Sequence, residues 1–130
     1  MQQYCTLEGI KTRYEIFGST SDNRLMKIIE QQSILIHVQL KSLPDEDPDL
    51  QLILPIAAEE ICYGEFLLSE AGANVISGSQ TIGIVKEDID LKKQVEVGRE
   101  YRNQGWDKLA KWLKPEEPAP FYGYFGGVDG

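Results

Sequence analysis

Two runs of apolar residues on either side of an acidic, proline-bearing stretch constrain this chain more than anything else in it. In ILIHVQL the even positions Ile34, Ile36, Val38 and Leu40 are apolar, and in LQLILPI so are Leu50, Leu52, Leu54 and Ile56. A strand shows alternate side chains to opposite faces, so each run reads as a β-strand with one buried face. Pairing Leu40 with Leu50 sets Val38 opposite Leu52, Ile36 opposite Leu54 and Ile34 opposite Ile56, which places every even side chain on one face. The intervening KSLPDEDPD reads as the hairpin loop: Pro44 and Pro48 cannot donate to a ladder, and Asp45, Glu46, Asp47 and Asp49 favour water.

The remaining chain is expected to alternate between strand and helix. GIKTRYEIFG puts Ile10, Thr12, Tyr14 and Ile16 on one side and Lys11, Arg13 and Glu15 on the other, the pattern of a half-exposed strand, and residues 4–8 are a candidate short strand before it. Ser21, Asp22 or Asn23 is placed to cap a helix over roughly 22–32. After the hairpin, Ala57, Ile61, Gly64, Leu68 and Ala71 share one helical stripe, with Gly72 as its expected C-cap. Two short β runs around Ser77-Gly78-Ser79 follow, the second over 80–85. A helical pattern then starts at Lys86, bends or breaks at Gly98 and Gly105, continues through Trp106, Leu109, Ala110 and Leu113, and stops at Pro115. Trp112 falls off that stripe. The tail PEEPAPFYGYFGGVDG has no period, and its prolines favour an extended path.

A chain of 130 residues with 42% hydrophobic and 26% charged residues fits one globular domain. We therefore expect a domain over 1–114 and an extended tail over 115–130. No apolar run reaches the length of a membrane span and no leader pattern opens the chain, so a cytoplasmic protein with no membrane partner is expected. The formal net charge is −8. It is uneven, because residues 86–114 hold eight of the thirteen basic residues against six acids, leaving five bases against fifteen acids elsewhere. Such a field repels phosphate backbones, which makes nucleic acid a poor partner and a basic protein surface a better one.

Few constellations carry chemistry. Gln39 and Lys41, at the end of an expected core strand, resemble the second half of a PD-(D/E)xK nuclease motif, with Asp22 as the upstream acid. The resemblance implies a divalent metal held by the acidic positions and a lysine supporting the attacking water. The chain departs from that pattern, since Gln39 has no charge and no proline precedes Asp22. The simpler reading puts both residues on the outward face of a strand. PDEDPD lacks the glycine and distant glutamate of a calcium loop. His37 is the only histidine, and the chain has no GxSxG elbow for a serine nucleophile. AGANVISGSQ, TIGIV and GYFGGVDG lack the spacing of phosphate-binding loops. Cys5 and Cys62 lack a CxxC pattern and read as two reduced, buried thiols.

The sequence therefore points to a single α+β domain: a mainly antiparallel sheet of 10–17, 34–41, 50–56 and 80–85, with the 57–71 and C-terminal helices on its apolar face. The expected function is a non-enzymatic interaction or regulatory protein, or an accessory subunit of an assembly, with no cofactor and no metal. Its expected contact residues are Asp45, Glu46, Asp47 and Asp49 in the acidic loop, which attract a basic surface, and Phe121, Tyr122, Tyr124 and Phe125 in the tail, whose aromatic rings are of the types that most often anchor interfaces. The alternative is a metal-dependent nuclease-like enzyme built on Asp22, Gln39 and Lys41.

Overall fold

The computed structural model describes the backbone of residues 3–78 and 84–115 and the side chains of 3–72 and 91–115. Among these residues the chain is helical: α1 (Leu7–Arg13), α2 (Asp22–Gln39), α3 (Pro48–Gly78) and α4 (Ile84–Lys108), with 3₁₀ turns at Pro44–Glu46 and Ala110–Trp112. The expected antiparallel sheet is absent from them, and the α+β reading is overturned. The extended pairing that does occur is one isolated antiparallel bridge between Leu40 and Leu113. Residues 10–13 lie in α1, 34–39 in α2 and 50–56 in α3. Of the expected strand 80–85, residues 80–83 lie outside the described residues, and Ile84 and Val85 open α4.

The reason for the reversal is a shared subset of positions. Residues i and i+4 fall on one face in both a strand and a helix, so only i+2 and i+3 tell the two apart. In α2 the buried positions are Leu25, Ile28, Ile29, Ser33 and Ile36, and Leu40 just beyond the helix is buried too. Spacings of three and four continue through Ser33, which the β reading passed over because it is polar. The period-2 partners Ile34 and Val38 are instead 43% and 55% exposed. In α3, Leu50, Leu54, Ala57 and Ile61 are buried while Leu52 is 75% exposed. Ser33 is admitted to the core because its Oγ accepts the Tyr4 backbone N–H at 3.0 Å, satisfying both groups.

The prolines also reverse their meaning. Asp47 Oδ1 accepts the backbone N–H groups of Asp49 at 3.0 Å and Leu50 at 3.2 Å, and Pro48 occupies the first helical position, where a missing N–H costs nothing. The expected hairpin loop is thus the start signal of a 31-residue helix. Pro55 lies inside α3 on an exposed face, so the carbonyl its ring leaves without a partner can reach water.

Helices α3 and α4 form the centre. Gly64 faces Gly98 and Arg102, Gly98 faces Leu67 and Leu68, and Gly105 faces Ala57 and Ile61, so the two helices run antiparallel. A Cβ on Gly64 would stand 2.5 Å from the Gly98 carbonyl oxygen and 2.6 Å from the Arg102 nitrogen, and one on Gly105 would stand 2.6 Å from the Ala57 carbonyl oxygen. Both obstacles are backbone. The glycines expected to break the C-terminal helix are inside it, seven residues apart, and they set how closely it approaches α3. Gly72 does not cap α3, which continues to Gly78.

The other helices close the core. Thr6 Oγ1 accepts the Gly9 N–H at 3.0 Å and starts α1 where a strand was expected. Glu15, at φ 56°, takes the left-handed conformation that ends it, and the Ile16 N–H returns to the Lys11 carbonyl at 2.9 Å. Ile10 of α1 and Leu25, Ile29 and Ile36 of α2 are fully buried in one cluster with Leu50, Ile61 and Leu109.

Candidate functional site

One end of the bundle combines a fixed scaffold with an uncovered apolar surface. There the chain leaving α4 pairs with the chain leaving α2: the Lys41 N–H donates to the Trp112 carbonyl at 2.9 Å and the Lys114 N–H to the Gln39 carbonyl at 2.7 Å. This pairing holds Trp112 against the start of α3, where its Nε1–H donates to Asp47 Oδ2 at 2.8 Å. Asp47 therefore uses one oxygen to cap α3 and the other to hold Trp112. The Trp112 bond, then the backbone donors and the charge of Lys111, hold its carboxyl below the usual carboxylate value. The ammonium of Lys111 sits 4.7 Å from the centre of the Trp112 ring.

Between these elements lies an open groove of about 510 Å³, lined by Asp49, Leu52, Ile53 and Ile56 of α3, by Lys108 at the end of α4, and by Lys111 and Trp112. Leu52 and Ile56, one turn apart, are 75% and 43% exposed. The core-facing residues of α3 point the other way, so this pair is turned from the core. Chemically the groove offers an apolar floor, an indole wall and charges of both signs at its edge. Among the described residues, no group of three or more His, Cys, Asp or Glu side chains is arranged to hold a metal ion.

The acids expected to meet a partner divide by role. Asp47 is committed internally, and Glu46 Oε1 accepts the Leu43 backbone N–H at 3.1 Å, closing its own 3₁₀ turn. Asp45 and Asp49 are exposed, Asp49 on the groove itself. Phe121, Tyr122, Tyr124 and Phe125 lie outside the described residues. The metal constellation is not brought together. Asp22 opens α2 and is paired with Lys11 at 2.8 Å, whereas Gln39 closes the same helix, about 25 Å away for 18 residues at the α-helical rise, and Lys41 lies beyond it. His37 is exposed, with Nδ1 2.7 Å from Tyr4 Oη, and it makes no dyad with the cysteines, which contact each other.

A second polar cluster is structural. Glu60 of α3, only 5% exposed, takes Arg13 of α1 at 3.0 Å and Lys108 of α4 at 2.8 and 3.0 Å. A buried carboxylate needs such partners, and here they tie three helices together. Beside it Tyr14 and Tyr63 stack at 3.8 Å between ring centres, and Tyr101 meets both edge-on. The Tyr14 hydroxyl is buried without a hydrogen-bond partner, and this burial pushes its ionisation well above the ordinary phenol range. It stays neutral at any physiological pH.

Sequence reasoning missed the groove's apolar members as site residues because it placed Leu52 and Ile56 in the core. The signal that would have found them is Asp47-Pro48 as a cap and first-turn pair: reading it as a helix start turns Leu52 and Ile56 outward. Comparisons with known protein families, curated proteins and solved structures yield no match. No described helix is long and apolar enough to cross a membrane.

Proposed function

We propose that this protein is a non-enzymatic interaction module, a regulatory or accessory subunit, whose groove at the start of α3 receives an apolar segment flanked by basic residues on a partner protein. The observation that carries the reading is the exposed pair Leu52 and Ile56 beside the immobilised indole of Trp112. Large apolar side chains held in a groove by a rigid scaffold are the kind of surface that becomes the dry centre of an interface. Charge supplies the partner's sign. The chain carries a net −8, and Asp45 and Asp49 stand exposed around the α3 start, so the overall field favours a basic flank, while of the two lysines on the groove Lys108 is already paired with Glu60 and Lys111 lies over Trp112.

The test is selection of peptides from a random displayed library on the immobilised full chain. Selected sequences should combine an aromatic or branched apolar anchor with neighbouring Lys or Arg. Leu52→Ser with Ile56→Ser should abolish their binding at unchanged fold. Asp45→Asn with Asp49→Asn should slow association and flatten its salt dependence while leaving dissociation nearly as it was. Selection of acidic peptides, or binding indifferent to the Leu52 and Ile56 changes, would sink the proposal.

A further inference from the structure

The two cysteines of this chain stand 57 positions apart in sequence, yet their sulfurs are 3.8 Å apart, and both residues are buried. Cys5 precedes α1 on the segment that also carries Tyr4, and Cys62 is in the middle of α3, two residues after Glu60 and two before Gly64. A disulfide requires the sulfurs to close to about 2.05 Å, a shift of roughly 2 Å within reach of side-chain rotation and a small movement of the segment before α1.

We propose that Cys5 and Cys62 form a reversible intramolecular disulfide, made by exchange with a small-molecule disulfide of the glutathione type, which locks the N-terminal segment onto α3. The order of events follows from where each sulfur sits. Cys5 belongs to the segment before a seven-residue helix, which opens at lower cost than the centre of α3. On opening, the Cys5 thiol loses its proton and attacks one sulfur of glutathione disulfide. That S–S bond breaks, and one glutathione leaves as thiolate and takes up a proton. When the segment returns, Cys62 gives up its proton and attacks the Cys5 sulfur, forming the Cys5–Cys62 bond and expelling the second glutathione, which is protonated in turn. Two protein thiols are oxidised by two electrons, and one glutathione disulfide is reduced to two glutathione thiols.

In the reduced protein the hydrogen bond with the Cys5 thiol, followed by burial, pushes the Cys62 thiol well above its ordinary value; once Cys5 carries glutathione the burial remains and opposes ionisation of Cys62, so the second step is the slow one. The bond would act on three helices at once. Cys5 follows Tyr4, whose N–H is held by Ser33 and whose hydroxyl meets His37, both on α2, while Cys62 is part of the α3 core. Closing so long a loop restricts the unfolded chain, which favours the folded one.

The experiment treats the folded full-length protein with excess glutathione disulfide, quenches with acid, alkylates the remaining thiols and maps the peptides by mass. Expected is one species lacking two hydrogens, with the Cys5 and Cys62 peptides joined, no alkylation until a reductant is added, and a Tm raised by roughly ten degrees. Cys62→Ser should stop at one glutathione on Cys5, and Cys5→Ser should leave Cys62 unmodified in the folded chain. Persistence of two alkylatable thiols in the wild type, a glutathione adduct that never closes, or a bond between two chains would each overturn the proposal. Because the wild-type map decides by itself, a variant that fails to fold leaves the test intact.

Discussion

The middle of α3 and the outward face of its first turns belong to one continuous helix but meet their surroundings in opposite ways. In the middle, Gly64 brings the backbone of α4 against that of α3, and Ala57, Ala58, Ile61, Cys62 and Phe66 are buried. In the first turns, Leu52 and Ile56 stand in an open groove although they are as apolar as Ile61 and larger than Ala57, Ala58 and Gly64. Burial here follows the approach of a neighbouring backbone rather than side-chain hydrophobicity. Small residues let α4 come close, and where α4 ends at Lys108 and the chain turns away through Trp112, large apolar residues are left uncovered. The close seam and the open groove are therefore made by opposite choices of residue on the same helix.

That contrast can be broken first at the seam. Gly64→Ala should cost about 2–4 kcal/mol, because its new Cβ meets backbone atoms of α4 that cannot step aside without parting the helices. Thermal denaturation checks this, and an unchanged Tm would mean that the close approach is not real. Gly72→Ala is the internal control: nothing lies within 4 Å of the added Cβ, so higher helix propensity should stabilise by about 0.5–1 kcal/mol. Opposite signs from one substitution at two positions of one helix would locate the seam directly.

Next in size is Glu60→Gln, expected to cost about 1–3 kcal/mol by leaving Arg13 and Lys108 without their shared carboxylate. Hydrogen exchange should show α1 loosening first, since Arg13 is its charged link to α3.

Asp47 sharpens the comparison at the groove end. Its carboxyl titrates below the unfolded value, so the folded state holds fewer protons, and the stability it confers is present above about pH 4 and lost as pH falls through its lower folded value. Asp47→Asn keeps a capping oxygen but turns an amide N–H₂ toward the Trp112 indole N–H, a donor facing a donor. A modest fall in Tm at neutral pH, a shallower acid limb and altered Trp fluorescence are expected. An acid limb identical to wild type would show that Trp112 is held by something else.

The smallest effect on stability belongs to the groove floor. Leu52→Ser should change stability by no more than about 0.5 kcal/mol, since that side chain is 75% exposed, and Ile56→Ser, at 43% exposed, by about 1 kcal/mol. A large loss would show that these residues are covered after all, and the groove would not be a docking surface.

Sequence alone determined the parts in which a single period could operate. The stripe Ala57, Ile61, Gly64, Leu68 and Ala71 required a helix, and so did the pattern from Lys86 onward, because no strand reading fits apolar residues spaced by three and four. The helix beginning near Asp22 was also legible, although α2 runs on to Gln39. The runs 34–40 and 50–56 were open to two readings, since their buried members Ile36, Leu40, Leu50 and Leu54 sit at i and i+4, where strand and helix agree. What closed the question was tertiary. Ser33 joins the helical face only because the Tyr4 N–H arrives to satisfy it, and Asp47 becomes a helix cap whose second oxygen meets Trp112 from 65 residues away. Gly98 and Gly105, helix breakers by local propensity, stay inside α4 at positions where α3 lies too close to leave room for a side chain. Local periodicity reports which side chains share a face; only the packed neighbours decide which of those faces is covered and which is left open.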